Sequence, residues 1–150
     1  MKIYAKNKKA KFDYEFLNKY EAGISLLGTE VKSIKEGGVD LSGSYIVIDS
    51  NDNPQWLNGH INKYQFQTQG THEEKRTRQL LLKKREIKKI SNDINLKRLT
   101  VIPYIIYANH RGNIKLEFYT AKGKNVRDKR STIKQRDLER ESRLNLKNNY

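Results

Sequence analysis

No cysteine occurs among the 150 residues. That excludes a disulfide framework, a thiolate metal site and a thiol nucleophile, and it fits a reducing cytoplasm. Long apolar runs are also missing. The best, Val101 to Ala108, contains a proline and falls well short of the roughly 20 residues a membrane-spanning helix needs. The start, Met1 to Lys6, has basic residues with no apolar block behind them, so it does not read as a secretory signal. The three histidines, His60, His72 and His110, are scattered without ligand spacing. Glycines such as Gly23, Gly28, Gly37, Gly38 and Gly43 mark corners and do not cluster as a phosphate loop. No identifiable base neighbours Ser25, Ser33 or Ser44. Asp13, Glu21, Glu30 and Asp40 are the carboxylates open to meeting on Mg²⁺ in a nuclease. In so basic a chain they read instead as partners for lysines. The expectation is a protein without cofactor or metal that is not an enzyme.

What is abundant is positive charge. Formal net charge is +14, and the pI is about 9.9. Self-repulsion of this size is relieved by a polyanion, and nucleic acid is the leading candidate ahead of an anionic membrane. Tyr4, Phe12, Tyr14, Tyr64, Phe66 and Tyr119 stand among the basic residues, where rings can stack on unpaired bases, although many must fill the core. The length suits one domain, and a second would be starved of apolar residues.

Hydrophobic period changes in one step near residue 28. Tyr20, Ala22, Ile24 and Leu26 alternate as one face of a strand, whereas Val31 and Ile34 stand at helical spacing. Thr29 is expected to cap the helix, with Glu30 at its positive start and Gly37-Gly38 as its stop. Before this corner, Lys2, Lys6, Lys8, Lys9 and Lys11 read as a basic arm the core need not hold. Phe12, Tyr14 and Phe16 read as a first strand turning at Asn18-Lys19.

After the corner, Tyr45 to Ile48 and Trp56 to Ile61 form a hairpin across the Ser50 to Pro54 turn. Asn62 to Thr77 reads as a mobile loop. Leu80, Ile87, Ile90 and Ile94 then mark an amphipathic helix with a basic outer surface. Leu99 to Tyr107 and Ile114 to Phe118 make the longest hairpin, across Asn109 to Gly112. The fold class is therefore mainly β with helices: a small, antiparallel, six-stranded barrel resembling the oligonucleotide-binding (OB) fold. Residues 1–124 supply it, as an RNA-binding OB-like barrel with a basic N-terminal arm. Residues 125–150 form a basic C-terminal tail. Arg127 to Tyr150 holds eight basic residues against four acids and no continuous apolar stripe, so the tail is expected to be disordered when free and helical on a partner.

The wording of several segments is more specific than their physics. Asn7-Lys8-Lys9-Ala10, Tyr20-Glu21-Ala22-Gly23, Gly28-Thr29-Glu30-Val31-Lys32-Ser33, Arg78-Gln79-Leu80-Leu81-Leu82, Lys84-Arg85-Glu86-Ile87, Lys122-Gly123-Lys124 and Asp128-Lys129-Arg130 fall in order across most of the chain. In this the sequence resembles the SmpB family, the SsrA-binding proteins of bacterial ribosome rescue. The resemblance implies a cytoplasmic, monomeric factor of trans-translation with no membrane role. Such a factor binds the tRNA-like domain of transfer-messenger RNA and delivers it to stalled ribosomes. Its tail probes the decoding centre, including small-subunit ribosomal RNA, and the empty mRNA channel.

Carried over by position, the RNA-binding residues fall on Asn7, Glu21, Leu81 and Lys115, with Lys8 and Lys9 beside Asn7. The ribosome-facing set begins at Gly123 and continues through Asp128, Lys129, Arg130, Lys134 and Arg136. Gln79 and Lys83 depart from the commoner lysine and histidine, Arg98 stands where that pattern has a glycine, and Arg127 where it often has a histidine. The alternative is a general RNA-binding or ribosomal protein that shares the barrel.

Overall fold

The structure, a computed structural model, describes residues 1–64 and 72–124. In chain order these form β1 (Lys2–Lys6), α1 (Lys8–Asp13), β2 (Tyr14–Ile24), α2 (Gly28–Lys35), β3 (Val39–Asp40) and β4 (Tyr45–Ile48). Next come β5 (Pro54–Leu57), β6 (His60–Ile61), β7 (Arg78–Leu81), α3 (Lys84–Lys97), β8 (Thr100–Ala108) and β9 (Ile114–Gly123). Neighbours run β8-β4-β5-β7-β2-β9, and β9 pairs back to β8, so six strands close a ring. Pairing around it is antiparallel throughout. Closure leaves the ring without a free edge of its own. Strand β1 adds to β8 from outside, and β3 pairs with β6 in a separate two-stranded ladder.

The fold is thus mainly β with helices, as expected, but the strands differ in membership. Asn7 Oδ1 accepts from the Ala10 N–H at 3.2 Å and starts α1, so Phe12 belongs to a helix and the alternation begins only at Tyr14. No turn interrupts Asn18-Lys19. Strand β2 runs straight through them, and the register against β9 slips between Phe16 and Asn18, which leaves Leu17 as a bulge.

The basic arm is not loose either. Its residues Lys2 to Lys6 pair with Ile105 to Ala108 of β8, because a buried apolar strand presents backbone groups that must be paired whatever charge the partner carries. Leu80 belongs to β7 and not to the following helix. Arg78 and Leu80 are buried while Gln79 and Leu81 are exposed, a period of two hidden by three consecutive leucines.

Inside the ring, Ile34, Ile46, Trp56, Leu80, Val101, Ile106, Leu116 and Phe118 form one cluster, in which Tyr20 stacks on Phe118 at 5.6 Å. A second layer lies outside β8 and β9. There Phe16 stacks on Tyr119 at 4.6 Å and meets Tyr104 edge-on at 5.3 Å. Ala10 of α1 packs on Ile102 and Ala121.

Helix α2 starts at Leu27 rather than at a Thr29 cap. The Glu30 carboxylate accepts from the Leu27 N–H at 2.8 Å. The Thr29 hydroxyl pairs instead with His72 Nδ1 at 3.0 Å, and His72 Nε2 meets the Ile61 carbonyl at 2.9 Å. Within the expected loop 62–77, residues 65–71 lie outside the described residues, while His72 is buried and Ile61 N donates to Glu74 O. Among the described residues, no helix is long and apolar enough to cross a membrane, and no cluster of carboxylates and histidines is arranged to hold a metal.

Candidate nucleic-acid interface

Strand β2 alternates Tyr20, Ala22 and Ile24 into the ring, which leaves Lys19, Glu21 and Gly23 outside. Gly23 lies directly opposite Leu81 on β7 and Lys115 on β9. A Cβ at Gly23 would sit 3.3 Å from Leu81 Cδ1 and 3.6 Å from Lys115 Nζ. The glycine is therefore a floor over which the two flanking side chains fold. Leu81 is 61% exposed despite its bulk, unusual for a leucine held in a ladder of a closed sheet.

A shallow cavity of ≈ 410 Å³ lies on one side of this ridge, lined by Glu21, Gln79, Leu81, Lys83 and Lys115. Another of ≈ 450 Å³ lies on the other side, lined by Leu26, Val31, Gly112 and Lys115. Lys115 is shared by both, a half-buried cation between two hollows.

Glu21 faces Glu117 across the ladder, and Lys19 Nζ stands 3.6 Å from Glu21 and 3.1 Å from Glu117. One lysine thus relieves the repulsion of two carboxylates. The phenol of Tyr107, opposite Lys115, is pushed up to about 12, first by burial and then by the Glu21 and Glu117 carboxylates. Tyr107 stays a neutral donor beside this acidic pair at any physiological pH.

The strand that carries Leu81 is held by a buried ion cluster. Glu30 and Arg78 are both 0% exposed, with Arg78 Nε to Glu30 Oε2 at 2.5 Å. Arg76 reaches Glu30 Oε1 at 2.5 Å and also donates to the Ser25 carbonyl. The rest of the Arg78 guanidinium donates to the carbonyls of Gly59 and Glu74. Burial works to raise the Glu30 carboxyl, but hydrogen bonds from Arg76, the Leu27 N–H and Arg78 outweigh it and hold it below the usual carboxylate range. From the sequence Glu30 reads as a helix-start acid and as one of four carboxylates open to Mg²⁺ or to lysine partners. Its role as a clamp on β7 has no local signal, because Arg76 and Arg78 lie 46 and 48 residues away.

Three expected site residues, Glu21, Leu81 and Lys115, come together from three strands. Asn7 does not join them. It is buried across β8, where its Nδ2 donates to the carbonyls of Leu41 at 3.3 Å and Pro103 at 3.1 Å. With its amide hydrogens and its oxygen engaged internally, it serves as a structural cap and not as an outward donor. Lys8 and Lys9 are exposed on α1. Gly123 ends β9, and the Lys124 N–H donates to the Asp13 carbonyl. Asp128, Lys129, Arg130, Lys134 and Arg136 lie outside the described residues, as does Arg127.

The family model described as SmpB protein matches residues 4–148. The chain belongs to the SmpB family. Among curated relatives, the SsrA-binding protein of Agrobacterium fabrum is 44% identical over 148 residues, covering 99% of this chain and 92% of the relative. The SsrA-binding protein of Coprothermobacter proteolyticus is 47% identical over 152 residues, covering 100% of both. A chain of the solved structure "tmRNA-SmpB: a journey to the center of the bacterial ribosome" superposes with a TM-score of 0.69 at 36% identity. That match covers 84% of this chain and 87% of the other. Within the family's commoner pattern, Arg98 replaces a glycine, and the structure shows the consequence. Arg98 closes α3 in the left-handed conformation, at φ 53°.

Proposed function

We propose that this SmpB-family chain binds the tRNA-like domain of transfer-messenger RNA and carries it to stalled ribosomes as a factor of trans-translation. The observation that carries the reading is the convergence of Glu21, Leu81 and Lys115 around the Gly23 floor, in a chain of net charge +14. Lys115 meets phosphate, Leu81 packs against ribose or a base face, and Glu21 accepts from a base edge or 2′-hydroxyl. A convex ridge between two shallow hollows suits recognition of a folded RNA by shape, with charge for affinity and Glu21 for discrimination. No bond is made or broken in this work, so the protein acts as a binder without turnover, in the cytoplasm and as a monomer.

The chain divides functionally at Gly123, with the barrel before it and the ribosome-facing tail after it. Asp128, Lys129, Arg130, Lys134 and Arg136 serve the decoding centre and the mRNA channel. Capture of RNA from solution tests the reading. The chain is expected to form a one-to-one complex with the tRNA-like domain that survives an excess of unrelated structured RNA. Equal partition between the two would identify a general RNA-binding protein instead.

A further inference from the structure

Every described tyrosine except two has an aromatic, cationic or carboxylate partner. Tyr4 and Tyr64 lie under Lys2 and Lys32, Tyr20 stacks on Phe118, Tyr104 and Tyr119 meet Phe16, and Tyr107 sits beside Glu21. Tyr14 and Tyr45 have no such partner among the described residues, and both line the same cavity, ≈ 390 Å³ in volume. Its apolar floor includes Ile102, and its rim carries Lys9, Asp13 and Ser42. Tyr45 is 42% exposed. It stands on β4 beside Ile46, which points into the core, so its own ring points away from the core. Lys9 is exposed on α1 and makes no ion pair among the described residues.

The cavity stands apart from the Lys115 ridge. Tyr14 pairs with Gly123 at one end of the β2–β9 ladder and Gly23 pairs with Lys115 at the other, nine residues or about 30 Å away. The two places can be filled at the same time, and by different stretches of RNA.

We infer that this cavity between α1 and β4 is a second RNA subsite, which takes one unpaired nucleobase against Tyr45 and meets its phosphate with Lys9. An idle exposed ring over an apolar floor offers the stacking surface that unpaired bases seek, and a cation at the rim supplies the backbone contact. The Lys115 ridge has no aromatic in its two hollows, so the two subsites divide the labour between shape and stacking. The inference rests on the RNA-binding reading of the chain but not on the role of Lys115.

The test is binding of an unstructured single-stranded RNA of roughly ten nucleotides, carrying a fluorescent base analogue, to the full chain. Tyr45→Ala is expected to weaken binding about 5- to 100-fold and to abolish quenching of the analogue, whereas Tyr45→Phe stays near wild type. An RNA of the same length made abasic at its central positions is expected to bind the wild type as weakly as the intact RNA binds Tyr45→Ala. Undiminished binding or quenching in Tyr45→Ala, an equal loss in Tyr45→Phe, or tight binding of the abasic strand would each overturn the inference. Lys115→Ala keeps the two proposals apart: it should reduce capture of the tRNA-like domain and leave quenching of the single strand unchanged.

Discussion

Removing the Glu30 carboxylate is the perturbation for which the structure gives the clearest magnitude. Glu30→Ala leaves Arg78 charged and fully buried, with two carbonyl partners but no anion; it removes the acceptor of the Leu27 N–H and leaves Arg76 with the Ser25 carbonyl alone. Breaking one partner out of a buried pair costs about 3–5 kcal/mol. In a chain of this length each kcal/mol moves the melting temperature by about 2–4 °C, so the expected drop is roughly 6–20 °C.

The measurement is thermal unfolding followed by circular dichroism, with Glu30→Gln alongside. Glutamine keeps the shape and one acceptor but not the charge, so it should fall between wild type and Glu30→Ala. The double variant Glu30→Leu/Arg78→Met should recover much of the loss, because apolar replacement of both partners removes the stranded charge. The sign with pH follows from the lowered carboxyl. Its contribution is complete above the unfolded value of about 4.3 and is lost as pH falls from there through the folded value. The gap between wild type and Glu30→Gln should therefore narrow below about pH 4. A Glu30→Ala protein destabilised by less than about 1 kcal/mol, with no pH-dependent narrowing in Glu30→Gln, would refute the clamp.

Three further expectations follow from particular positions. Arg98→Gly should raise stability by about 0.5–1 kcal/mol in chemical denaturation, since relief of left-handed strain exceeds the entropy glycine adds to the unfolded chain. Asn7→Ala should cost roughly 2–4 kcal/mol through the lost cap and the stranded Leu41 and Pro103 carbonyls, yet bind RNA normally wherever calorimetry shows it folded. A chain ending at Lys124 should fold and bind the tRNA-like domain nearly as the full chain does but fail to support tagging on a stalled ribosome. Tagging by the shortened chain would remove the division at Gly123.

Period-two alternation made β2 readable from Tyr20 onward, and the β4–β5 and β8–β9 hairpins were legible because each has strong turn residues between β-rich runs, although the strand read from Trp56 to Ile61 ends at Leu57 and Ile61 belongs to β6, paired with Val39. Residues 8 to 13 misled because Phe12 falls in step with Tyr14 and Phe16, while the cap that makes the segment helical depends on carbonyls of Leu41 and Pro103, 34 and 96 residues away. Strand β7 was hidden among leucines, and only its place between β2 and β5 makes it a strand. Of the site, Glu21, Leu81 and Lys115 came from the family resemblance and not from any local pattern. What joins them is cross-strand register around Gly23, which is a property of the closed ring that no single segment carries.

The most direct test of the interface is the salt dependence of binding to the tRNA-like domain, measured for wild type and Lys115→Ala between 50 and 200 mM salt, a window spanned here as about a fourfold change. With about five to eight phosphate contacts, wild-type affinity should fall by roughly two to four orders of magnitude across that range. Lys115→Ala should bind more weakly at low salt and lose about one unit of the logarithmic slope. Identical slopes and affinities for the two proteins would mean that RNA does not touch the ridge over Gly23, and the interface would have to be sought elsewhere on the molecule.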